Sequence, residues 1–142
     1  MTGDDGLHVV FGASGGAGGG IARELMARGR RVRGVTRGGR GDLPAGVEMV
    51  RANAANPAEA RQAAEGAAVI YHAVNVPYPA WAETLPPVMD GLIGAAEASG
   101  ATLVYADNVY SYGPVQGPMT EETPPVATTR KGRPRARLAE TL

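Results

Sequence analysis

The sequence contains no cysteine, an absence that removes disulfides, thiolate zinc sites and cysteine nucleophiles together. It fits a reducing cytoplasm. An excess of either charge is missing too: 14 basic residues stand against 14 acidic ones, so net charge points to neither nucleic acid nor an acidic surface. No apolar run approaches the ~20 residues needed to span a bilayer. The acidic opening, Met1-Thr2-Gly3-Asp4-Asp5, lacks the basic end and apolar stretch of a signal peptide. A soluble cytoplasmic protein without a nucleic-acid or membrane partner is therefore expected.

What is plentiful is glycine, with 21 residues, and proline, with 11, in a chain of 142 residues that still carries regular apolar runs. That length suits one domain with a real core, and the pattern reads as globular α/β rather than disordered. Residues 7–11 predict a buried strand. Residues 17–28 predict a helix with an apolar stripe of Ile21, Ala22, Leu25 and Met26, closed by Gly29. Residues 31–36 and 47–51 read as further strands, and Asn56 and Pro57 cap and open a helix reaching Gly66. A fourth strand at 67–74 leads to a proline-broken loop at 75–79. A helix follows with its best stretch at 88–99, then a fifth strand at 102–106, a loop at 113–125 and a basic segment from Arg130. Alternation this regular implies parallel strands with right-handed crossovers. The expected fold is a Rossmann-like, doubly wound α/β sheet of five strands in order 3-2-1-4-5, in one domain over residues 1–142.

Between the first strand and first helix lies Gly12-Ala13-Ser14-Gly15-Gly16-Ala17-Gly18. Glycine permits the tight turn and lets backbone approach phosphate, while first-turn N–H groups and the helix dipole meet the negative charge. Gly19 and Gly20 extend the run into the helix, where each costs about 1 kcal/mol relative to alanine. Close approach of a ligand or neighbouring helix explains such a run. Gly12, Ser14, Gly15, Gly16, Ala17 and Gly18 are thus candidate pyrophosphate-binding residues for NAD or NADP. The same residues satisfy G-x-S-x-G, the nucleophile elbow of hydrolases. A triad would then need a later histidine, and only His72 follows, in or at the tip of the fourth strand. The hydrolase reading ranks well below the cofactor reading.

An NAD site usually places an acid about 20 residues after the loop, on the ribose hydroxyls. Here the second strand ends in Thr36-Arg37, with Arg40 close by and the first acid delayed to Asp42. Arginine suits a 2′-phosphate, so NADP is favoured over NAD.

With these residues in hand, nearly the whole chain resembles the extended short-chain dehydrogenase/reductase family, the NAD(P)-dependent epimerase/dehydratase group. The strand and loop at residues 10–18 carry the likeness most specifically. Arg51-Ala52-Asn53 stands where the family often has an Asp near the adenine. Tyr71-His72-Ala73-Val74 is similar to the strand end lining the family's cofactor channel, and residues 105–113, YADNVYSYG, are similar to its fifth strand and following segment. The resemblance implies cofactor contacts at Asn53 and Ala73. It also implies a role for Asn108, where the family has a serine that hydrogen-bonds the substrate carbonyl. The family's Tyr with a Lys four residues on is absent. Positions four after Tyr71, Tyr78, Tyr105, Tyr110 and Tyr112 hold Asn75, Ala82, Val109, Pro114 and Gln116, and the sole lysine, Lys131, follows Ala127. Tyr110 or Tyr112 is left as the substitute acid, with Asn108 and Tyr112 the catalytic candidates.

Relative to that family the sixth strand and substrate-binding region are missing. A truncated chain is the favoured explanation; the other is that a partner, such as a second copy, covers the exposed edge. Smaller signals point to structure. The cations Arg130, Lys131, Arg133, Arg135 and Arg137 read as a solvated helix face, and His8 and His72 as strand residues without the clustered partners of a metal site. Trp81 reads as a loop residue packed on the domain, with stacking on a ligand as the rival. The expected function is a NAD(P)-binding protein of the epimerase/dehydratase type acting on an unknown small molecule. The alternatives are a non-catalytic NADP-binding sensor and an inactive fragment.

Overall fold

The computed structural model describes residues 6–142; the acidic opening at 1–5 lies outside the described residues. Its first strand, β1 (Leu7–Phe11), alternates with helices and strands in the order α1 (Gly16–Ala27), β2 (Val32–Thr36), β3 (Glu48–Arg51), α2 (Pro57–Ala63), β4 (Ala67–His72), α3 (Trp81–Ser99), β5 (Thr102–Tyr105) and α4 (Gly132–Glu140). Short 3₁₀ turns occupy Tyr78–Ala80 and Val109–Tyr112. All strand pairs are parallel, and the sheet order is β3-β2-β1-β4-β5. The doubly wound α/β sheet expected from the alternation is the one observed.

Parallel sheets need cover on both faces, and the period-two alternation of β1 divides its residues accordingly. Val9 and Phe11 join Ala60, Ala63, Val88, Leu92 and Ala95 in a core under α2 and α3. Val10 faces the other way and packs with Ala22 of α1, together with Ile21, Leu25 and Met26. No helix joins β2 to β3; Leu43 and Val47 of the connecting loop complete that second core. The same face carries His8 and Tyr71, hydrogen-bonded at 3.2 Å, where burial lowers the pKa of His8 and raises that of Tyr71, Arg30 partly offsetting the latter. Arg33 links β2 to the end of α2: it donates to Glu48 Oε2 at 3.0 Å and to the carbonyls of Ala63 and Glu65 at 2.9 and 3.0 Å. Those carbonyls lie at the end of α2, where intrahelical donors run out.

The largest departure from the sequence reading is α3. It begins at Trp81, seven residues before the expected stretch, and runs through Pro86 and Pro87. An interior proline lacks the N–H for the carbonyl four residues back. Here those carbonyls belong to Ala82 and Glu83, which are exposed, as are both prolines. The buried stripe Trp81, Leu85, Val88, Leu92 and Ala95 continues unbroken past them. Packing of one face outweighs the two lost bonds, as tertiary context often outweighs propensity.

The chain divides into two compact units. The first takes the chain up to Asn75 with Pro87–Ala106, and the second takes Val76–Pro86 with Asp107–Leu142.

Candidate functional site

In the first unit, the glycine loop is set by backbone packed on backbone. Gly12 has φ +82, and a Cβ there would strike the Ala73 carbonyl. Its N–H donates to Val35 O at 3.0 Å, and Ala73 N–H donates to Phe11 O at 2.9 Å. A Cβ on Gly18 would strike the carbonyl of Gly12. These glycines bring the end of β4, the turn and the first turn of α1 into close approach. Gly16 and Gly20 differ: a Cβ on either meets nothing within 4 Å. Packing within the fold therefore accounts for Gly12 and Gly18 but leaves Gly16 and Gly20 without such a reason.

Ser14, Gly15, Gly16 and Ala17 are exposed. The N-cap of α1 is Gly15, with no side-chain cap and no acid in the first turn. The contrast with α2 is instructive. There Asn56 accepts from the N–H groups of Ala58 and Glu59 at 3.1 and 3.3 Å, and Glu59 supplies a first-turn acid. One helix completes its own N-terminus from its sequence. The other presents free N–H groups and uncompensated positive potential on an exposed glycine surface, the features that hold a phosphate. The loop thus fits a pyrophosphate group. The hydrolase alternative loses its histidine, since His72 is fully buried on β4 and packs against Tyr105 with ring centroids 4.7 Å apart.

Arg37 follows β2 and is exposed; among the described residues it makes no hydrogen bond or ion pair. Its turn is closed by Gly39 N–H on Thr36 O at 3.2 Å, while Thr36 Oγ1 bonds both N and O of Arg40 at 3.1 Å. Arg23 of α1 donates to the Asp42 carbonyl at 2.7 Å, and a Cβ on Gly41 would lie 3.5 Å from that of Ser14. The loop carrying Arg37 and Arg40 is therefore folded back against the glycine turn. Asn53 follows β3 and is exposed. Its Oδ1 accepts from Ala55 N–H at 3.1 Å and its own N–H donates to Glu59 at 2.8 Å. A groove of about 420 Å³ runs beside β3 and α2, lined by charged residues including Arg33, Arg51 and Glu59, and holds none of the expected site residues.

The catalytic candidates Asn108 and Tyr112 belong to the second unit. Asn108 is extended (φ −139°, ψ 174°) and caps the 3₁₀ turn, its Oδ1 accepting from Tyr110 N–H at 3.1 Å. That bond leaves the amide NH₂ as its donor. Tyr112 ends the turn half-buried. Tyr110 instead joins an aromatic group, edge-on to Tyr78 and Trp81 with centroids 6.2 and 5.8 Å away. The hydrogen bond with Tyr78, and the charge a second phenolate would face, push the Tyr110 hydroxyl above the ordinary 10.0.

Trp81 is buried, as expected of a tryptophan packed on the domain, but it stands in α3 rather than in a loop, with Nε1 donating to Val76 O at 2.9 Å. The basic segment is not uniformly solvated. Arg130, Lys131, Arg133 and Arg137 are exposed, but Arg135 is only 3% exposed and lies 4.1 Å over the Trp81 ring. Lys131, one helical turn earlier, lies 4.1 Å over the Tyr78 ring. The i,i+4 spacing of Lys131 and Arg135 matches aromatics three apart at 78 and 81, but it does not say which of the two cations is buried.

The sequence profile of the NAD dependent epimerase/dehydratase family matches residues 8–134, and the chain belongs to that family. No curated protein matches the sequence. Among solved structures, it is similar to MoeE5 in complex with UDP-glucose and NAD (23% identity, TM-score 0.76, 94% of this chain and 46% of that one). It is also similar to a mutated uronate dehydrogenase (21%, 0.79, 95% and 52%). UDP-glucose 4-epimerase from Bifidobacterium longum in complex with NAD+ and UDP is a third such structure (17%, 0.80, 95% and 47%). The chain spans about half the length of these proteins, and the likeness is one of fold.

Proposed function

We propose that the chain binds a nicotinamide dinucleotide, NADP in preference to NAD, for an oxidoreductase or epimerase reaction on a small molecule of the carbonyl or sugar-nucleotide class. The observation that carries this reading is the uncapped, acid-free N-terminus of α1 behind an exposed glycine turn. Ser14, Gly15, Gly16 and Ala17 would receive the pyrophosphate, while Gly12 and Gly18 keep the turn tight. Arg37 would pair with a 2′-phosphate, and its exposed, unengaged guanidinium supports that assignment. Asn53 and Ala73 would border the adenosine and the channel beyond it.

When bound, the nicotinamide supplies hydride chemistry. The Asn108 amide would donate to a substrate carbonyl, and a tyrosine would act on the proton. Tyr112 is the sequence candidate. Tyr110 has the raised hydroxyl pKa, which suits a group that stays protonated and donates. Residues 1–142 hold no Tyr-x-x-x-Lys pair, and a non-catalytic NADP-binding sensor is kept as the second reading. Calorimetry with NADP, NADPH, NAD and NADH tests the binding, and tighter NAD binding would overturn the assignment of Arg37. Hydride turnover across sugar nucleotides and simple carbonyl compounds then separates enzyme from sensor.

A further inference from the structure

The second unit holds a buried cation that neither the glycine turn nor the candidate acids call for. Arg135 of α4 is 3% exposed, and its Nη1 lies 3.6 Å from Asp107 Oδ1. That same oxygen accepts the Asn108 backbone N–H at 2.8 Å. Asn108 in turn spends its own Oδ1 on Tyr110 N–H at 3.1 Å. A continuous series of contacts therefore runs from α4 through one carboxylate oxygen to the backbone of Asn108.

We propose that Arg135 is a positioning residue for Asn108, acting through Asp107. The inference rests on the reading of Asn108 as a donor to a substrate carbonyl. Covering Trp81 does not require a guanidinium; an aliphatic side chain of similar length would cover the ring without the desolvation cost of a charge. What the guanidinium adds is a fixed positive partner for Asp107, whose side chain is 28% exposed and would otherwise be drawn to water. With Asp107 held, the N–H of Asn108 is held. The extended backbone at Asn108 and the cap on Tyr110 then leave its amide NH₂ in one orientation. The base of α4 reinforces the arrangement, because Gly132 lies so close to the Tyr110 carbonyl that a Cβ would strike it.

The test uses the full chain, labelled with ¹⁵N, as wild type, Arg135→Met, Arg135→Lys, Asp107→Asn and Asn108→Ala. In Arg135→Met the Asn108 amide resonance is expected to shift upfield and its hydrogen exchange to quicken. The glycine-turn resonances and NADP affinity should stay as in wild type. Arg135→Lys should restore part of the shift, and on any carbonyl substrate found, kcat should fall by about tenfold in Arg135→Met. Emission of Trp81, the single tryptophan, reports whether the unit stays folded. If Arg135→Met exposes Trp81, Asp107→Asn decides instead, since it removes the charge at nearly constant shape and should shift the same amide. An unchanged Asn108 amide in a folded Arg135→Met or Asp107→Asn protein would overturn the proposal. Turnover unaffected in Asn108→Ala while Arg135→Met still shifts the amide would instead retire the role given to Asn108, and with it the functional half of the inference.

Discussion

The glycine turn of the first unit and the aromatic group of the second are built by opposite means. In the turn, carbonyls and α-carbons touch: Gly12 meets Ala73, Gly18 meets Gly12, and side chains are nearly absent from the contact. In the second unit almost everything is side chain, with Tyr78, Trp81 and Tyr110 edge to face and two cations laid over rings. Backbone contact tolerates no added atom where carbonyls meet, and it leaves the first-turn N–H groups of α1 without a side-chain cap. Side-chain contact is more forgiving, because long flexible groups can readjust, but it depends on residues far apart in sequence.

The sharpest way to break this contrast is Gly12→Ala. A positive φ and a carbonyl in the way together should cost on the order of 3 kcal/mol or more, read as a lower denaturation midpoint. Gly16→Asp comes next and separates stability from binding. There is open space for the side chain, and an acid in the first turn suits the dipole, so stability should hold or rise by up to about 1 kcal/mol. NADP affinity should nevertheless fall by about tenfold to a hundredfold, equivalent to about 1.4–2.8 kcal/mol, in calorimetry. Undiminished binding would sink the pyrophosphate assignment. Gly20→Ala, exposed and unobstructed, should stabilise by about 0.5–1 kcal/mol in the same melts, opposite in sign to Gly12→Ala.

On the side-chain end of the contrast, Lys131→Gln should cost only about 0.5 kcal/mol, since its ammonium lies over an exposed ring. A loss several times larger would mean that the second unit is as unforgiving as the turn. The smallest effect concerns pH. Burial holds the pKa of His8 below its ordinary 6.5, so the folded state takes up its proton later than the unfolded chain. Stability is then full above about pH 6.5 and declines as pH falls through the lowered value. His8→Gln should flatten that limb of a stability-against-pH curve.

Much of the fold was legible because its signals are local. Alternating apolar runs place the strands, Asn56-Pro57 marks the start of α2, and Gly29 and Gly100, both with positive φ, sit just past helix ends. The glycine turn was legible for the same reason, since its contacts lie within a few residues of one strand end. The start of α3 was not, because two prolines mask an apolar stripe whose partners lie elsewhere in the chain. Arg135 was not either: spacing alone could not tell a buried cation from the solvated ones around it.

The sequence by itself therefore determined the order of strands and helices, the place of the glycine turn and the lack of a Tyr-x-x-x-Lys pair within residues 1–142. All of these follow from residue type and short-range spacing. Only the tertiary structure decided that Gly12 and Gly18 are required by packing while Gly16 is not, that α3 runs through its prolines, and that Arg135 rather than Lys131 reaches Asp107. Each of those depends on which atoms from distant segments meet, and burial and steric exclusion act on that meeting rather than on local sequence.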